Sequence, residues 1–297
     1  MNQLGKKLAV AIDTSPFSIA VLDEAVIYAK KINAELKVIL VEDINIVNAA
    51  KSSLIRPINL FAPTAKTMGQ REAENVFTLQ RSKAQDTVNY ILEHNTIKTT
   101  LHISRGKVAE EIIKASEDCT GLIIGWAGWR FAKYYYSTHT LQRRSRFRFP
   151  DNRNIHMGST AKYLLEHYPK NIFVLKGEIF KGAKVMAYYD GSKLSRRMLD
   201  VLTEYMFDFK GTLHNSLAVL LTHKSLREEA YISIAKKNSA FTPSFFTLSD
   251  NNCEFIEHLI DNTKTDALIL NKDCSLLQDG SFYADIDKIQ SSVIILR

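Results

Sequence analysis

Cysteine is scarce: Cys119, Cys253 and Cys274 are the three in 297 residues. The number is odd, the spacings are wide, and no CxxC or Cys/His cluster occurs. That excludes a disulfide framework and a zinc site of ordinary spacing. It fits a reducing cytoplasm, with each cysteine acting as a small buried hydrophobe. Long apolar runs are also missing. None approaches the roughly 18–20 residues of a membrane-spanning helix. The opening MNQLGKKLAVAID has two lysines and a short apolar run but no small-residue cleavage site, so it reads as a first strand and not as a signal peptide. In the first half His94, His102, His139, His156 and His167 are scattered, with no two at metal-ligand spacing. No nucleophile, base and acid stand together in the sequence, so no catalytic residue and no metal ligand is assigned.

What is present is an uneven charge. The chain carries 39 Lys+Arg against 32 Asp+Glu, a net charge of +7. Residues 1–176 hold 25 basic and 16 acidic residues, whereas residues 177–297 hold 14 and 16. Residues 129–157 alone hold seven basic residues and one acid, Asp151. The basic balance therefore belongs largely to one segment.

Short β-rich apolar runs alternate with helical periodicity along the chain. LAVAID (Leu8–Asp13) is a strand ending in an acid. Ser15-Pro16 then starts a helix with Ile19, Leu22, Ala25, Val26, Ala29 and Ile32 on one side. ELKVILVED (Glu35–Asp43) is a strand whose continuous apolar centre suits a sheet covered on both faces. Residues 44–70 show weak periodicity and read as a loop or lid. A long helix is expected over roughly 71–94, a strand at Thr99–Gly106, a short helix at Lys107–Glu117 and a strand at Thr120–Gly125. A helix at Ser159–Tyr168 and a strand at Asn171–Lys176 complete the first half. This alternation predicts a parallel sheet flanked by helices. The order then restarts in the second half, with Asp190 of AKVMAYYDGS standing where Asp13 stood. Further strands fall at Asn215–His223, Pro243–Ser249, Asp266–Asn271 and the closing SSVIILR. An internal repeat of this kind predicts two similar α/β domains, residues 1–178 and 179–297.

In open parallel sheets ligands bind beyond the carboxyl ends of the strands, where the strand order reverses. In the first half those ends carry Asp13, Val41-Glu42, Gly106 and Gly125-Trp126-Ala127-Gly128. The helix beginning at Ser159 would point its N-terminus, with its free N–H groups, toward the same crevice, a setting that favours an anion. Gly158 permits close backbone approach, and Ser159 and Thr160 add hydroxyls. Asp13 suits a ribose hydroxyl or an adenine amine and not a phosphate. A Gly-Ser-Thr step is also an ordinary helix cap, so these three residues alone decide nothing.

Taken in order, VAIDTS (Val10–Ser15), the strand end at Val41, RGKVAEEII (Arg105–Ile113), LIIGWAG (Leu122–Gly128) and MGSTAKYLLEHYPKNIFVLK (Met157–Lys176) resemble the universal stress protein family. Its ATP-binding branch carries G-x2-G-x9-G-(S/T). Gly125, Gly128, Gly158 and Ser159 fit that pattern, except that the whole of 129–157 stands in place of the short x9 gap. The resemblance covers both halves and implies a tandem member. Each half would be a Rossmann-like domain of the adenine nucleotide alpha-hydrolase type, with a five-stranded parallel sheet flanked by helices. It also implies ATP or AMP as ligand. Asp13 would hold the adenosine part, Val41 would contact adenine through its main chain, the backbone around Gly125, Gly128, Gly158, Ser159 and Thr160 would hold ribose and phosphates, and Ala11, Ile12, Thr14 and Ile124 would also belong to the cofactor-binding set. Mg2+ would ride on the phosphates, because no pair of protein carboxylates is placed to bind it. The second half keeps Asp190-Gly191-Ser192 but has no G-x2-G and no Gly-Ser/Thr opening a helix of full length. It is expected to pack as a degenerate partner, with the halves pairing within the chain or two chains associating.

The segment between Gly128 and Gly158 interleaves Arg130, Lys133, Arg143, Arg144, Arg146, Arg148 and Arg153 with Phe131, Tyr134, Tyr135, Tyr136, Phe147 and Phe149. Three readings of it stand: a solvated loop over the nucleotide, an arginine clamp on its phosphates, or a docking patch for an anionic partner. No RNA- or DNA-binding motif supports nucleic acid. For the whole chain the expectation is a cytoplasmic stress-response or regulatory protein with an adenine nucleotide in its N-terminal half. A slow ATP hydrolase or phosphotransferase and a nucleotide-free interaction protein are the alternatives.

Overall fold

The computed structural model describes residues 6–51, 69–128, 156–180, 183–203, 217–237, 243–248, 253–278 and 280–297. The basic segment, including His139, lies outside them. The chain divides into two compact units: Met1–Ser145 with Gly158–Leu164, and Arg146–Met157 with Leu165–Arg297.

In the first unit the strands are β1 (Lys7–Ile12), β2 (Glu35–Asp43), β3 (Thr99–Gly106) and β4 (Gly121–Gly125). Their order is β3-β2-β1-β4 and every pairing is parallel. The apolar centres of β1, β2 and β4 are buried on both faces: Val10, Val38 and Ile123 are wholly inaccessible, and Val10 pairs with both of the others. Helix α1 (Pro16–Ile32) forms where the sequence supplies a start and a stop. The Ser15 hydroxyl accepts from the Ser18 N–H, Pro16 occupies the first turn, and Asn33 closes the helix in the left-handed conformation. Helices α2 (Ile44–Lys51), α3 (Gln70–His94), α4 (Val108–Ala115) and α5 (Ser159–His167) follow. The weak periodicity of residues 44–51 predicts a loop, but they are helical. Val47 buries fully, and Ile46 and Ala50 pack against Ala73 and Val76 of α3. Tertiary burial here outweighs a weak local pattern.

The second unit contains β5 (Asn171–Leu175), β6 (Val185–Tyr189), β7 (Leu217–Leu221), β8 (Ser244–Thr247), β9 (Ala267–Asn271) and β10 (Ser292–Leu296). The order is β5-β10-β9-β6-β7-β8, parallel except between β5 and β10. The run β8-β7-β6-β9 repeats β3-β2-β1-β4, so the sequence repeat is also a repeat of topology. Its helices are α6 (Lys193–Val201), α7 (Arg227–Lys237), α8 (Cys253–Thr263), α9 (Ser275–Gln278) and α10 (Ser281–Asp285).

The expected boundary at residue 178 follows β5, whereas the compact division falls between Leu164 and Leu165. The reason is the antiparallel ladder of β5 with β10, in which Val174 faces Val293. Around it the Arg297 N–H donates to Asn171 Oδ1 at 2.8 Å, the Arg297 guanidinium donates to Leu165 O at 3.0 Å, and the Lys176 N–H donates to Ser292 Oγ at 2.9 Å. Side-chain contacts that no local pattern encodes thus bind residues 165–178 into the second unit.

Candidate functional site

The strand order of the first unit reverses at β1, which has β2 on one side and β4 on the other. A crevice at the carboxyl ends of β1 and β4 is where an open α/β sheet takes a ligand. Asp13 stands at the end of β1. Its Oδ1 accepts from the Ser15 N–H at 3.0 Å, and its own N–H donates to Ser18 Oγ at 3.3 Å. The carboxylate is thereby held against the first turn of α1.

Beside Asp13 lies the loop after β4. A Cβ built on Gly128 would lie 2.3 Å from Asp13 Oδ2, and one on Gly125 would lie 2.6 Å from Cε1 of the buried Phe17 ring. Neither glycine has a positive φ; Gly125 is required by the close approach of the buried Phe17 ring, whereas at Gly128 the near atom is the tip of the Asp13 carboxylate, which would have to move aside. The Gly158 N–H donates to Trp126 O at 2.9 Å, with Trp126 fully buried. The two ends of the interrupted glycine pattern therefore meet, although the whole basic segment lies between them in sequence. Ser159 is exposed and Thr160 half-exposed at the start of α5, and the Lys162 N–H donates to Gly158 O at 2.9 Å.

The structure thus brings Asp13, Gly125, Gly128, Gly158, Ser159 and Thr160 to one end of one sheet. Ala11 and Ile12 lead into it on β1, and Ile124 on β4. Val41 lies half-exposed on β2 opposite Ser104, one position beyond the pairing of Ile12 with Leu40. Thr14 sits between Asp13 and the helix cap at φ 60°.

Sequence reasoning missed the acid–base cluster next to Val41. Glu42 is 4% exposed. Arg105 Nε donates to its Oε2 at 2.8 Å, while Arg81 Nε stands 2.6 Å from Oε1 as an ion pair not aligned for a hydrogen bond. Arg105 also makes a two-pronged contact with Glu74, at 2.9 and 2.8 Å, and lies over the Phe77 ring. Glu74 and Glu42 push the Arg105 guanidinium above its usual range, and Arg105 in turn holds the Glu74 carboxyl below the carboxylate range. Gln80 Nε2 donates to Asp13 O at 3.3 Å. Through Glu74, Gln80 and Arg81, α3 is tied to the ends of β1, β2 and β3. The acid at the close of ELKVILVED is the available signal, but its partners belong to α3 and β3, far along the chain.

In the second unit Asp190-Gly191-Ser192 repeats the turn. The Ser192 N–H donates to Asp190 Oδ1 at 2.9 Å, Gly191 has φ 77°, and the Ser192 hydroxyl accepts from the Ser195 N–H. Burial pushes the Asp190 carboxyl up, but hydrogen bonds from Ser192 and Ser195 outweigh it and hold the group below its ordinary value. The rest differs. Leu226 packs so closely that a Cβ on Gly191 would lie 2.8 Å from its Cδ2. Where β4 ends in Gly125, β9 ends in a fully buried Asn271, followed by helices of four and five residues.

Of the described histidines, His156 is exposed with Nδ1 3.3 Å from Asp287 Oδ2, and His94 Nδ1 lies 2.9 Å from Tyr90 O. Among the described residues no group of three or more His, Cys, Asp or Glu is arranged to hold a metal, and no helix is long and apolar enough to cross a membrane. Cys119 and Cys274 are buried and not in a disulfide. Burial pushes their thiols up to about 11 and about 12, which makes both poor nucleophiles.

Compared with protein-family models and with curated proteins, the sequence matches none. Solved structures do match. A universal stress protein from Archaeoglobus fulgidus DSM 4304 superposes with a TM-score of 0.58 at 15% identity, over 98% of this chain and 96% of that one. A putative universal stress protein from Pseudomonas aeruginosa UCBPP-PA14 gives a TM-score of 0.59 at 13% identity, over 99% and 94%. A functionally unknown protein from Pseudomonas aeruginosa PAO1 gives 0.58 at 13% identity, over 99% and 93%. The chain has the universal stress protein fold: mostly parallel sheet flanked by helices, shared over nearly the full length.

Proposed function

We propose that this chain is a tandem protein of the universal stress class, and that its N-terminal half binds ATP or another adenine nucleotide as a regulatory ligand. One observation carries the reading: the hydrogen bond from the Gly158 N–H to Trp126 O, at 2.9 Å. It joins the two ends of a glycine pattern that the sequence splits, and it does so at the switch point of the sheet. Gly128 also lets the loop after β4 come close to Asp13, since a methyl group there would displace the carboxylate.

Asp13 would accept from the adenosine part and Val41 would meet the base through its main chain. The backbone of Gly125, Gly128 and Gly158, with Ser159 and Thr160, would hold the phosphates, and any Mg2+ would travel with them. A cradle of this kind binds ground and transition states about equally, so regulation fits it better than turnover. The second unit, with Asn271 and Leu226 in place of an open glycine loop, serves as structural partner. Reduced, buried thiols at Cys119 and Cys274 accord with a cytoplasmic setting.

The test is calorimetric titration of nucleotide-stripped protein with ATP, AMP and a nucleotide lacking adenine. One site per chain for the adenine nucleotides is expected. Failure of both to bind refutes the reading.

A further inference from the structure

Asp287 grips the main chain one residue before Gly158. It lies in the single helical turn Ile286–Lys288, shortly before β10. That turn is firmly seated: Ile286 and Ile289 are wholly buried, and the Ile289 N–H donates to Ile286 O at 3.0 Å. From it the Asp287 carboxylate meets two consecutive residues. Its Oδ1 accepts from the Met157 N–H, and its Oδ2 lies 3.3 Å from Nδ1 of the exposed His156. Asp287 and Met157 fall in the same compact unit, although 130 residues separate them in sequence.

One residue on, the Gly158 N–H donates to Trp126 O at 2.9 Å, and Gly158 O accepts from the Lys162 N–H at 2.9 Å. Two successive peptide planes are therefore each fixed by a partner far along the chain. The 156–157 peptide is held at Asp287 and the 157–158 peptide at Trp126. Because peptides are planar, only φ and ψ of Met157 lie between the two anchors. Neither anchor belongs to a strand ladder or a helix. If the first is lost, the chain enters Gly158 with one plane unpinned, and glycine restrains its own backbone less than any other residue.

We infer that Asp287 is a positioning residue for the phosphate part of the proposed nucleotide site: it fixes Met157, so that the Gly158 N–H and the start of α5 are in place before a ligand arrives. The inference rests on the adenine-nucleotide reading. Asp287 acts through the Met157 main chain and not on the ligand. Its contribution is preorganisation, since a loop already ordered takes nothing from the binding energy to become so. Charge alone predicts the opposite sign. A carboxylate near a bound phosphate repels it, so removing Asp287 would then tighten ATP binding.

The experiment compares wild type with Asp287→Ala, Asp287→Ser, Asp287→Asn and His156→Ala. The readouts are calorimetric titration with ATP, AMP and adenosine, and backbone amide hydrogen exchange without ligand. The alanine and serine side chains fall short of the Met157 N–H, and either variant suffices for the test. They are expected to bind ATP and AMP about tenfold more weakly and adenosine within about twofold of wild type. Asp287→Asn keeps an oxygen that accepts from the Met157 N–H and loses the charge, and is expected to stay within about threefold of wild type. His156→Ala leaves the Met157 bond intact and is expected to bind as wild type. In the alanine and serine variants exchange is expected to quicken at Met157, Gly158 and the first turn of α5, and to stay unchanged in β10. Wild-type or tighter ATP binding in those variants overturns the inference and leaves the nucleotide site standing. So does an equal loss for adenosine, an asparagine variant as weak as alanine, or faster exchange that extends through β10, which is the mark of a merely structural residue. A wild-type chain that binds none of the three ligands overturns the inference and the nucleotide reading together.

Discussion

Gly128→Ala places one methyl group where the structure leaves no room. Its Cβ would lie 2.3 Å from Asp13 Oδ2, with Asp13 Cγ at 3.5 Å. An ordinary C···O approach is about 3.3 Å or more, so the carboxylate must retreat by about 1 Å. The obstruction is the tip of a side chain, and it can swing. The first loss is the hydrogen bond that Asp13 Oδ1 accepts from the Ser15 N–H at 3.0 Å. A hydrogen bond to a charged group contributes about 1.5–3 kcal/mol, so a ligand bond of the same type lost from Asp13 weakens binding by about 10- to 150-fold. Two neighbouring variants separate binding from folding. Gly125→Ala drives its Cβ to 2.6 Å from the buried Phe17 ring, which cannot swing, and is expected to destabilise the fold by about 1–3 kcal/mol. Gly158→Ala meets nothing closer than 3.6 Å and is expected to fold as wild type. ATP titration by calorimetry and urea unfolding, run on all three variants, give the two readouts. If Gly128→Ala binds ATP within twofold of wild type, Asp13 is not positioned by that glycine and the reasoning is refuted.

Two further outcomes follow from the ionic groups. Glu42→Gln removes the charge on which Arg81 and Arg105 converge. The glutamate side chain is 5% exposed and the arginines are 44% and 35% exposed. Breaking a fully buried pair costs about 3–5 kcal/mol, and partial solvation of the arginines brings the expected loss nearer about 1–3 kcal/mol. Glu74→Gln, at the exposed end of the cluster, is expected to shift the urea midpoint less, and the reverse order would show that Glu42 is not the anchor. Lys176, whose ammonium donates to Ile289 O, has its amine pushed down to about 7 by burial, partly offset by Asp287. Between that value and the unfolded lysine value of about 10.4 the unfolded chain binds the extra proton, so stability rises with pH across this window. Lys176→Met is expected to be more stable than wild type at pH 7 by about 2–4 kcal/mol, with the gap narrowing toward pH 10. A gap that stays constant from pH 7 to 10 in urea titrations would contradict a depressed lysine.

The strands and main helices were legible because their signals are local. Continuous apolar runs such as VILV and LIIG mark strands covered on both faces. Ser15-Pro16 marks the start of α1. The repeat of Asp13-Thr14-Ser15 by Asp190-Gly191-Ser192 proved to be a repeat of hydrogen bonding as well, down to the helix-capping serine. Helix α2 was not legible, since its single fully buried residue, Val47, gives no period. Nor was the grouping of β5 with β10, because either strand alone reads only as a buried strand.

The candidate site divides in the same way. Residue chemistry in the chain itself determined that an acid ends β1, that glycines follow β4, and that Gly158-Ser159-Thr160 opens a helix. Each is a property of a few neighbouring residues. The tertiary structure decided whether those pieces form one site. It set Gly158 against Trp126 O despite the long segment between the glycines, put Phe17 against Gly125, and brought Gln80 to Asp13 O and two arginines to Glu42. It also left the Thr14 hydroxyl buried and without a partner. Contacts between residues far apart in sequence depend on how the sheet positions its loops, and no local pattern of residues carries that information.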